Sequence, residues 1–187
     1  DQIFRYHFVL ARDALKRIPI DEGPESIANF ELLFSLSEGQ SYALLETRAS
    51  VLACIHTVRN AYEHFAQLCN ALLLEPQIPV DECALYKVRA RLPNSELKHE
   101  LDLLAGSDWF KYVAAYSNTS KHRALVQQSL HLSFADGVAG VRVEGFTHDA
   151  DYPPHMIGDL LEGVLSVKNQ IVTCGNALSR QLVRVKV

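Results

Sequence analysis

The chain has 187 residues, of which 48% are hydrophobic and 21% are charged, and its formal net charge is −4. These values predict an ordinary globular protein, with residues 1–187 forming a single domain around one core. The acidic balance excludes a protein that coats nucleic acid through bulk positive charge, so RNA contacts would need a local basic patch. No signal-peptide pattern and no long uncharged apolar run is present, which predicts no membrane-spanning segment.

The first part of the chain has mainly helical periodicity. Residues 2–18 carry an apolar face that ends at Pro19, and residues 24–36 indicate a shorter helix or a loop. The longest predicted helix runs from about residue 41 to residue 74 and ends before Pro76. Its apolar residues recur at steps of three and four, which is typical of a seam facing the core or a partner helix. These residues are Leu44, Val51, Ile55, Val58, Tyr62, Phe65, Cys69 and Leu72.

Shorter helical elements follow this long helix. Residues 81–92 and 94–105 predict two helical pieces separated by Pro93, and Ser107 with Asp108 can cap a further helix. The aromatic residues of that further helix are expected to lie in the core. They are Trp109, Phe110, Tyr112 and Tyr116.

The periodicity then changes from helical to alternating. Alternating apolar residues on both sides of Asp136-Gly137 predict a β-hairpin near 129–146, and Pro153-Pro154 opens a final long helix. We therefore predict a mostly α fold, a helical bundle with a long central helix and a β-hairpin insertion near 129–146.

The four cysteines are dispersed, with neither a CxxC pair nor a dense framework. This pattern argues against structural zinc, and cysteines within helical patterns usually act as small apolar residues. We therefore expect a reducing, cytoplasmic setting. The residues are Cys54, Cys69, Cys83 and Cys174.

Arg59, Asn60 and His64 form the strongest candidate site and lie inside the long predicted helix. Arginine can hold phosphate oxygens through two parallel hydrogen bonds, and histidine can transfer a proton near neutral pH. His56, Asn60 and His64 share one helix face, and Arg59 lies on its flank. Two alternatives stay open, because Arg59 and Glu63 can form a simple ion pair and the polar face can be merely solvated.

Asn118, Lys121, His122 and Arg123 form a second polar cluster. In one interpretation it is a cationic rim that contacts phosphate. His122 would then be a second acid or base or a phosphate contact, or it would turn inward and form a hydrogen bond within the bundle. In the other it is a helix start, where the polar residues before Lys121 act as N-caps. Three potentially cationic residues near a helix N-terminus would oppose the helix dipole, which favours an anion or an acidic residue there.

A third group could suggest a metal site, but its spacing fits no standard ligand pattern and favours a loop. Its members are His148, Asp149, Asp151 and His155. The chain also lacks a P-loop, a dinucleotide-binding glycine pattern, a G-x-S-x-G elbow and an H-E-x-x-H helix. We therefore expect no metal and no cofactor.

The two polar clusters together resemble the HEPN superfamily. Arg59-Asn60-x-x-x-His64 resembles the R-x4-6-H motif of that family, in which a polar residue often follows the arginine. Asn118-x-x-Lys121-His122-Arg123 resembles a second string of uncharacterised bacterial HEPN-like proteins, and the resemblance covers roughly residues 41–135.

This resemblance implies a helical bundle, a homodimer and, as in many members, metal-independent RNA cleavage in a cleft shared by two protomers. It implies that Arg59 stabilises the pentavalent phosphate, His64 transfers a proton and Asn60 orients the site. The RNA 2′-hydroxyl would be the nucleophile. The expected setting is stress or phage defence, with an antitoxin or another defence protein as partner.

One position departs from the family pattern. Antitoxin-paired HEPN toxins often carry a tyrosine two residues after the histidine, where this chain has Ala66. Regulation through modification of that tyrosine is therefore not expected. The alternative function is a non-catalytic helical module that binds a protein or nucleotide ligand in the same cleft.

Overall fold

A computed structural model describes residues 2–18, 29, 31 and 34–185, the last two of these for their backbone only. This part of the chain is mostly helical and carries short antiparallel strands, as predicted. The helices are α1 (Gln2–Lys16), α2 (Glu38–Leu73), α3 (Leu85–Arg91), α4 (Glu96–Gly106), α5 (Asp108–His122) and α6 (Ile157–Val185). None of them is both long enough and apolar enough to cross a membrane.

The helices largely follow the predicted pieces. The stretch predicted at 81–92 is a 3-10 turn at Val80–Glu82 followed by α3, and Ser95 caps α4 by accepting a hydrogen bond from the Lys98 amide. The predicted element at 24–36 lies outside the described residues, apart from residues 29, 31 and 34–36.

The described residues group into two compact units. The first takes its residues from Asp1–His56 and Ala115–Glu162, and the second from Thr57–Ala114 and Gly163–Val187. Buried side chains of the first unit include Phe4, Val51, Ile55, Tyr116, Val141, Val143, Ile157 and Leu160. Buried side chains of the second include Tyr62, Phe65, Val88, Leu97, Leu101, Leu104, Tyr112 and Val164. That residues 1–187 form a single domain stays a prediction.

The apolar seam of α2 is used inside this chain. Six of its eight predicted positions are buried, whereas Leu72 is 48% exposed and Leu44 is partly exposed. The buried six are Val51, Ile55, Val58, Tyr62, Phe65 and Cys69. Of the two roles left open for the seam, core packing is therefore confirmed.

The predicted hairpin is present and is part of a larger arrangement of strands. β1 (Gln128–Ser133) and β2 (Val138–Val143) are antiparallel, and the turn contains Gly137 at a φ of 66°. This left-handed conformation suits glycine because it has no Cβ. The remaining strands are β3 (Phe146–Thr147), β4 (Asp151–Tyr152) and β5 (His155–Met156). β5 pairs with β2, and β3 pairs with β4.

A buried asparagine holds the loop after α2. The Asn70 side-chain Nδ2 donates to the Ile78 carbonyl, and the Ile78 amide donates to Asn70 Oδ1, both at 2.8 Å. Asn70 is only 4% exposed, so water does not compete for these bonds. The loop leads into α3, which contributes to the candidate site described below.

Trp109 lies directly against the backbone of α6 at Gly163. A Cβ added at Gly163 would overlap the indole ring of Trp109. Elsewhere on α6, at Gly175, an added Cβ would meet nothing within 4 Å. Gly163 is therefore required for this close approach, and not for helix flexibility.

Candidate functional site

The Arg59 side chain lies beside an aromatic wall of the second unit, formed by Tyr62, Tyr86 and Phe110. Its Nη1 donates to the Tyr62 hydroxyl, and its Cζ lies 4.7 Å from the centroid of the Tyr62 ring. Its Nη2 lies 2.7 Å from Glu63 Oε1. The ion pair with Glu63 that the sequence left open as an alternative is therefore present.

The Arg59 side chain lines a cavity of about 370 Å³. Its aromatic lining comes from Tyr62 and Phe110, whose ring centroids are 4.7 Å apart, and from Tyr86, which is 65% exposed. The complete lining is Arg59, Tyr62, Glu63, Cys83, Ala84, Leu85, Tyr86, Arg89, Ala105 and Phe110. A cavity of this size, mainly apolar with a few polar groups, is typical of small-ligand sites.

Two arginines and one carboxylate set the charge of this cavity. Burial lowers the pKa of Arg59 below its ordinary value, and the Glu63 carboxylate opposes this effect. Arg89 Nε lies 3.5 Å from Asp102 Oδ1, and the Arg89 carbonyl accepts a hydrogen bond from Lys98 Nζ at 2.9 Å. The Glu63 side chain is 44% exposed and that of Arg59 only 21% exposed. An anionic ligand could therefore replace Glu63 without moving Arg59 far.

His64 is exposed and bonded to its own helix. Its Nδ1 lies 2.8 Å from the Asn60 carbonyl oxygen. Because a carbonyl oxygen only accepts, Nδ1 carries the hydrogen and Nε2 of the neutral ring keeps its lone pair. Asn60 thus orients His64 through its main chain. This tautomer is the one in which Nε2 can accept a proton from a substrate.

Arg59 and His64 do not share the cavity described above. The cavity is lined by Arg59 but not by His64. Five residues on a helix correspond to about 140° of rotation, which explains the separation.

The second predicted cluster lies in the first unit, at the end of a helix. α5 continues through His122, so the predicted helix start at 118–120 is wrong. Lys121, His122 and Arg123 are exposed, and the Arg123 Nη1 donates to the His148 carbonyl at 3.2 Å. Cations are favoured at a helix C-terminus, so the dipole gives no reason to expect an anion there. Asn118 is partly buried, one turn before His122.

His56 and Ser117 form a pair in the first unit that the sequence did not reveal. His56 Nδ1 and Ser117 Oγ are 3.0 Å apart, and Ser117 is fully buried. Burial lowers the pKa of His56 from 6.5, and the Lys121 ammonium lowers it further. The residues are 61 positions apart in the sequence, so no spacing pattern could indicate this contact.

This pair predicts a pH dependence of stability. Because the folded pKa of His56 lies below 6.5, the unfolded chain binds the proton more readily. The stability that neutral His56 contributes to the folded state is fully present above pH 6.5. It is lost as the pH falls through the lower pKa that His56 has in the folded protein. We expect the free energy of unfolding to rise as the pH increases toward 6.5, and to rise less in His56→Gln.

Urea unfolding at several pH values measures this difference. His99→Gln, which changes an exposed histidine of the second unit, is the matched control and should retain the pH dependence of the parent protein. An equal rise in the parent and in His56→Gln would show that His56 does not contribute.

The third group of polar residues is only partly in a loop: His148 and Asp149 lie between β3 and β4, whereas Asp151 belongs to β4 and His155 to β5. The Tyr152 hydroxyl donates to Asp149 Oδ1 at 2.8 Å, and the Thr147 hydroxyl donates to Asp151 Oδ1 at 2.7 Å. Both carboxylates therefore stabilise the β3–β4 turn. Within the described residues, no three or more histidines, cysteines or acidic residues are grouped to hold a metal ion.

Three contributors to the cavity were missed or assigned elsewhere from the sequence. Phe110 was expected in the core, and Tyr86 and Arg89 were not singled out. They share no motif with Arg59, because they lie on α3 and α5 and reach the cavity through packing of the second unit.

Comparison of the chain with models of known protein families, with curated proteins and with solved structures finds no significant match.

Proposed function

We propose that this protein is a HEPN-like, RNA-directed protein that binds one nucleotide of single-stranded RNA at the Arg59 cavity. The observation that supports this most is the Arg59 guanidinium beside an aromatic-lined cavity of about 370 Å³. Aromatic faces stack unpaired bases, and an arginine can hold the adjoining phosphate. Arg89 supplies a second cation in the same lining. The attraction is local, which fits a chain whose net charge is −4.

The catalytic form of this proposal is a metal-independent endoribonuclease of a stress or phage-defence system. His64 would take the proton of the RNA 2′-hydroxyl at Nε2 as the 2′-oxygen bonds to phosphorus, and the bond from phosphorus to the 5′-oxygen would break, with that oxygen taking a proton from water. Arg59 of a second protomer would stabilise the negative charge on the phosphate oxygens. Asn60 orients His64 through its carbonyl. The proposed assembly is a cytoplasmic homodimer of helical bundles around the long helix α2, with an antitoxin or another defence protein as partner.

The second candidate function is a non-catalytic module that binds a protein or nucleotide ligand. It is favoured by the geometry of Arg59, which already contacts Glu63 and Tyr62 inside the cavity. His64 does not line that cavity, so a ligand there can be held without any proton transfer.

Both functions allow a nucleotide to bind in the Arg59 cavity, and binding of a labelled, mixed-sequence single-stranded RNA tests this shared step. Arg59→Gln should weaken binding about tenfold or more, because a hydrogen bond to a charged group contributes about 1.5–3 kcal/mol. Glu63→Gln should strengthen it about twofold to threefold, because it removes a carboxylate that competes with phosphate. Fluorescence anisotropy measures both changes.

Arg180→Gln is the matched control for this binding experiment. Arg180 Nη2 lies 2.6 Å from Glu96 Oε1 in the same unit, and neither residue lines the cavity. Its removal should leave RNA affinity unchanged. Equal affinity in the parent, Arg59→Gln and Glu63→Gln would show that the cavity does not bind RNA.

The same assay addresses the proposed phosphate contacts Asn118, Lys121, His122 and Arg123. If Lys121 and Arg123 neutralise phosphates, changing both to glutamine should make binding less dependent on salt. The slope of the logarithm of the binding constant against the logarithm of the salt concentration should become shallower by about one to two. An unchanged salt slope would show that the exposed end of α5 does not contact RNA phosphates.

A further inference from the structure

The side of α1 opposite the core carries exposed apolar side chains among polar and charged ones. Phe4, Ala11 and Ala14 are buried within the first unit. On the opposite side Tyr6 is 63% exposed and Val9 is 49% exposed. The groove along this outward face has a volume of about 470 Å³ and is lined by Gln2, Arg5, Tyr6, Val9, Leu10 and Asp13.

The spacing along this outward face is that of a helix that packs on another helix. Gln2, Tyr6, Val9, Asp13 and Lys16 follow one another at steps of four, three, four and three. Such steps place the five residues in one narrow seam, with Tyr6 and Val9 as its central apolar members and polar or charged side chains on both sides of them. The longer seam on α2 is largely buried inside this chain and cannot serve a partner. The outward face of α1 therefore offers a second, separate seam.

The charges on this face are complementary to those of a second copy. Arg5 lies four residues before Val9, and Asp13 lies four residues after it. If two α1 helices pack antiparallel about a two-fold axis at Val9, each Arg5 faces the Asp13 of the other copy. Parallel packing would instead place like charges together. Asp13 Oδ1 now lies 2.9 Å from Lys16 Nζ, and both side chains are well exposed, so Asp13 can change partners.

We propose that the outward face of α1 binds the same face of a second copy, antiparallel and centred on Val9. Two Arg5–Asp13 ion pairs flank an apolar centre made by Tyr6 and Val9 of both copies. A 15-residue helix is only about 22 Å long, so this contact is small and its dissociation constant should be on the order of micromolar. The proposal does not rest on RNA binding, because association is measured without RNA.

Charge reversal tests the proposed geometry by sedimentation velocity over a range of concentrations. Arg5→Asp and Asp13→Arg should each weaken self-association at least about tenfold, because like charges then face each other. An equimolar mixture of the two variants should associate again. In that mixture, acidic side chains at both positions of one copy face basic side chains at both positions of the other. The double variant should also recover association.

Folding does not limit this test. Arg5→Asp places an acidic residue near the N-terminus of α1, and Asp13→Arg places a basic residue near its C-terminus, both of which the helix dipole favours. Glu162→Arg, at an exposed position of α6 in the same unit, is the control and should associate like the parent. A parent that stays monomeric at about 100 µM, or a mixture that stays monomeric, would overturn the proposal.

Discussion

His64→Ala is expected to lower RNA cleavage at least about 100-fold while leaving RNA affinity and melting temperature close to those of the parent protein. His64 is exposed and its Nδ1 bonds to the Asn60 carbonyl one turn before it in the same helix, so its removal should not disturb the fold. Cleavage is measured with mixed-sequence single-stranded RNA, with and without EDTA. We expect resistance to EDTA and products that end in a 2′,3′-cyclic phosphate. His99→Ala, which removes another exposed histidine of the same unit, should cleave like the parent.

A mixture of two inactive variants tests whether the site is shared between protomers. In a mixed dimer of Arg59→Ala and His64→Ala, one of the two shared sites has both side chains intact. Half of the dimers are mixed, so about a quarter of the parent activity should return. If the two residues acted within one chain, no activity would return. Cleavage by His64→Ala at the parent rate would contradict the catalytic proposal. A parent protein that does not cleave RNA would also contradict it, and the non-catalytic binding module would then be the better account.

Asn70→Ala is expected to lower the free energy of unfolding by about 2–4 kcal/mol. Both hydrogen bonds to Ile78 would be lost, and the Ile78 amide and carbonyl would stay buried without partners, each at a cost of about 1–3 kcal/mol. For a protein of this size the melting temperature should fall by roughly 5–12 °C. Thermal and urea unfolding measure both quantities.

Gln77→Ala provides the control in the same loop. Gln77 is exposed, and its Nε2 donates to the Ala71 carbonyl at 3.3 Å. Its loss should change stability by less than about 0.5 kcal/mol. If Asn70→Ala unfolded at the same temperature as the parent, the loop would not depend on these two buried bonds.

Regular elements with a strong period could be predicted from the sequence. The steps of three and four in α2 match its buried positions, and Asp136-Gly137 marks the hairpin turn that is observed. The strands β3, β4 and β5 have two residues each, which is too short for any alternation to be detected. They depend on pairing with each other and with β2, which no local pattern reports.

The end of α5 shows why local preferences misled the prediction. Asparagine, threonine and serine are favoured at helix starts, yet here they continue a helix. The Ser120 hydroxyl donates to the Tyr116 carbonyl at 2.9 Å, so it finds its partner within the helix. Ser117 and Thr119 are buried in the first unit, and tertiary packing therefore overrides their preference for a cap.

Only part of the candidate site could be predicted from the sequence. Arg59 and Glu63 could be identified from spacing on one helix, and their ion pair is present. The aromatic wall could not be identified, because Tyr86 and Phe110 reach Arg59 from other helices. The orientation of Arg59 toward Tyr62 also depends on a hydrogen bond that helix periodicity does not encode.

Gly163 restricts the ways in which α6 can move. The Trp109 indole occupies the volume in which any other residue would carry its Cβ. Sliding α6 by about one turn would bring Val167 to this position, and its branched side chain would need the same volume. A sliding shift of packed helices is one of the common ways in which proteins switch between states, and the Trp109 ring opposes such a shift of α6 in this direction.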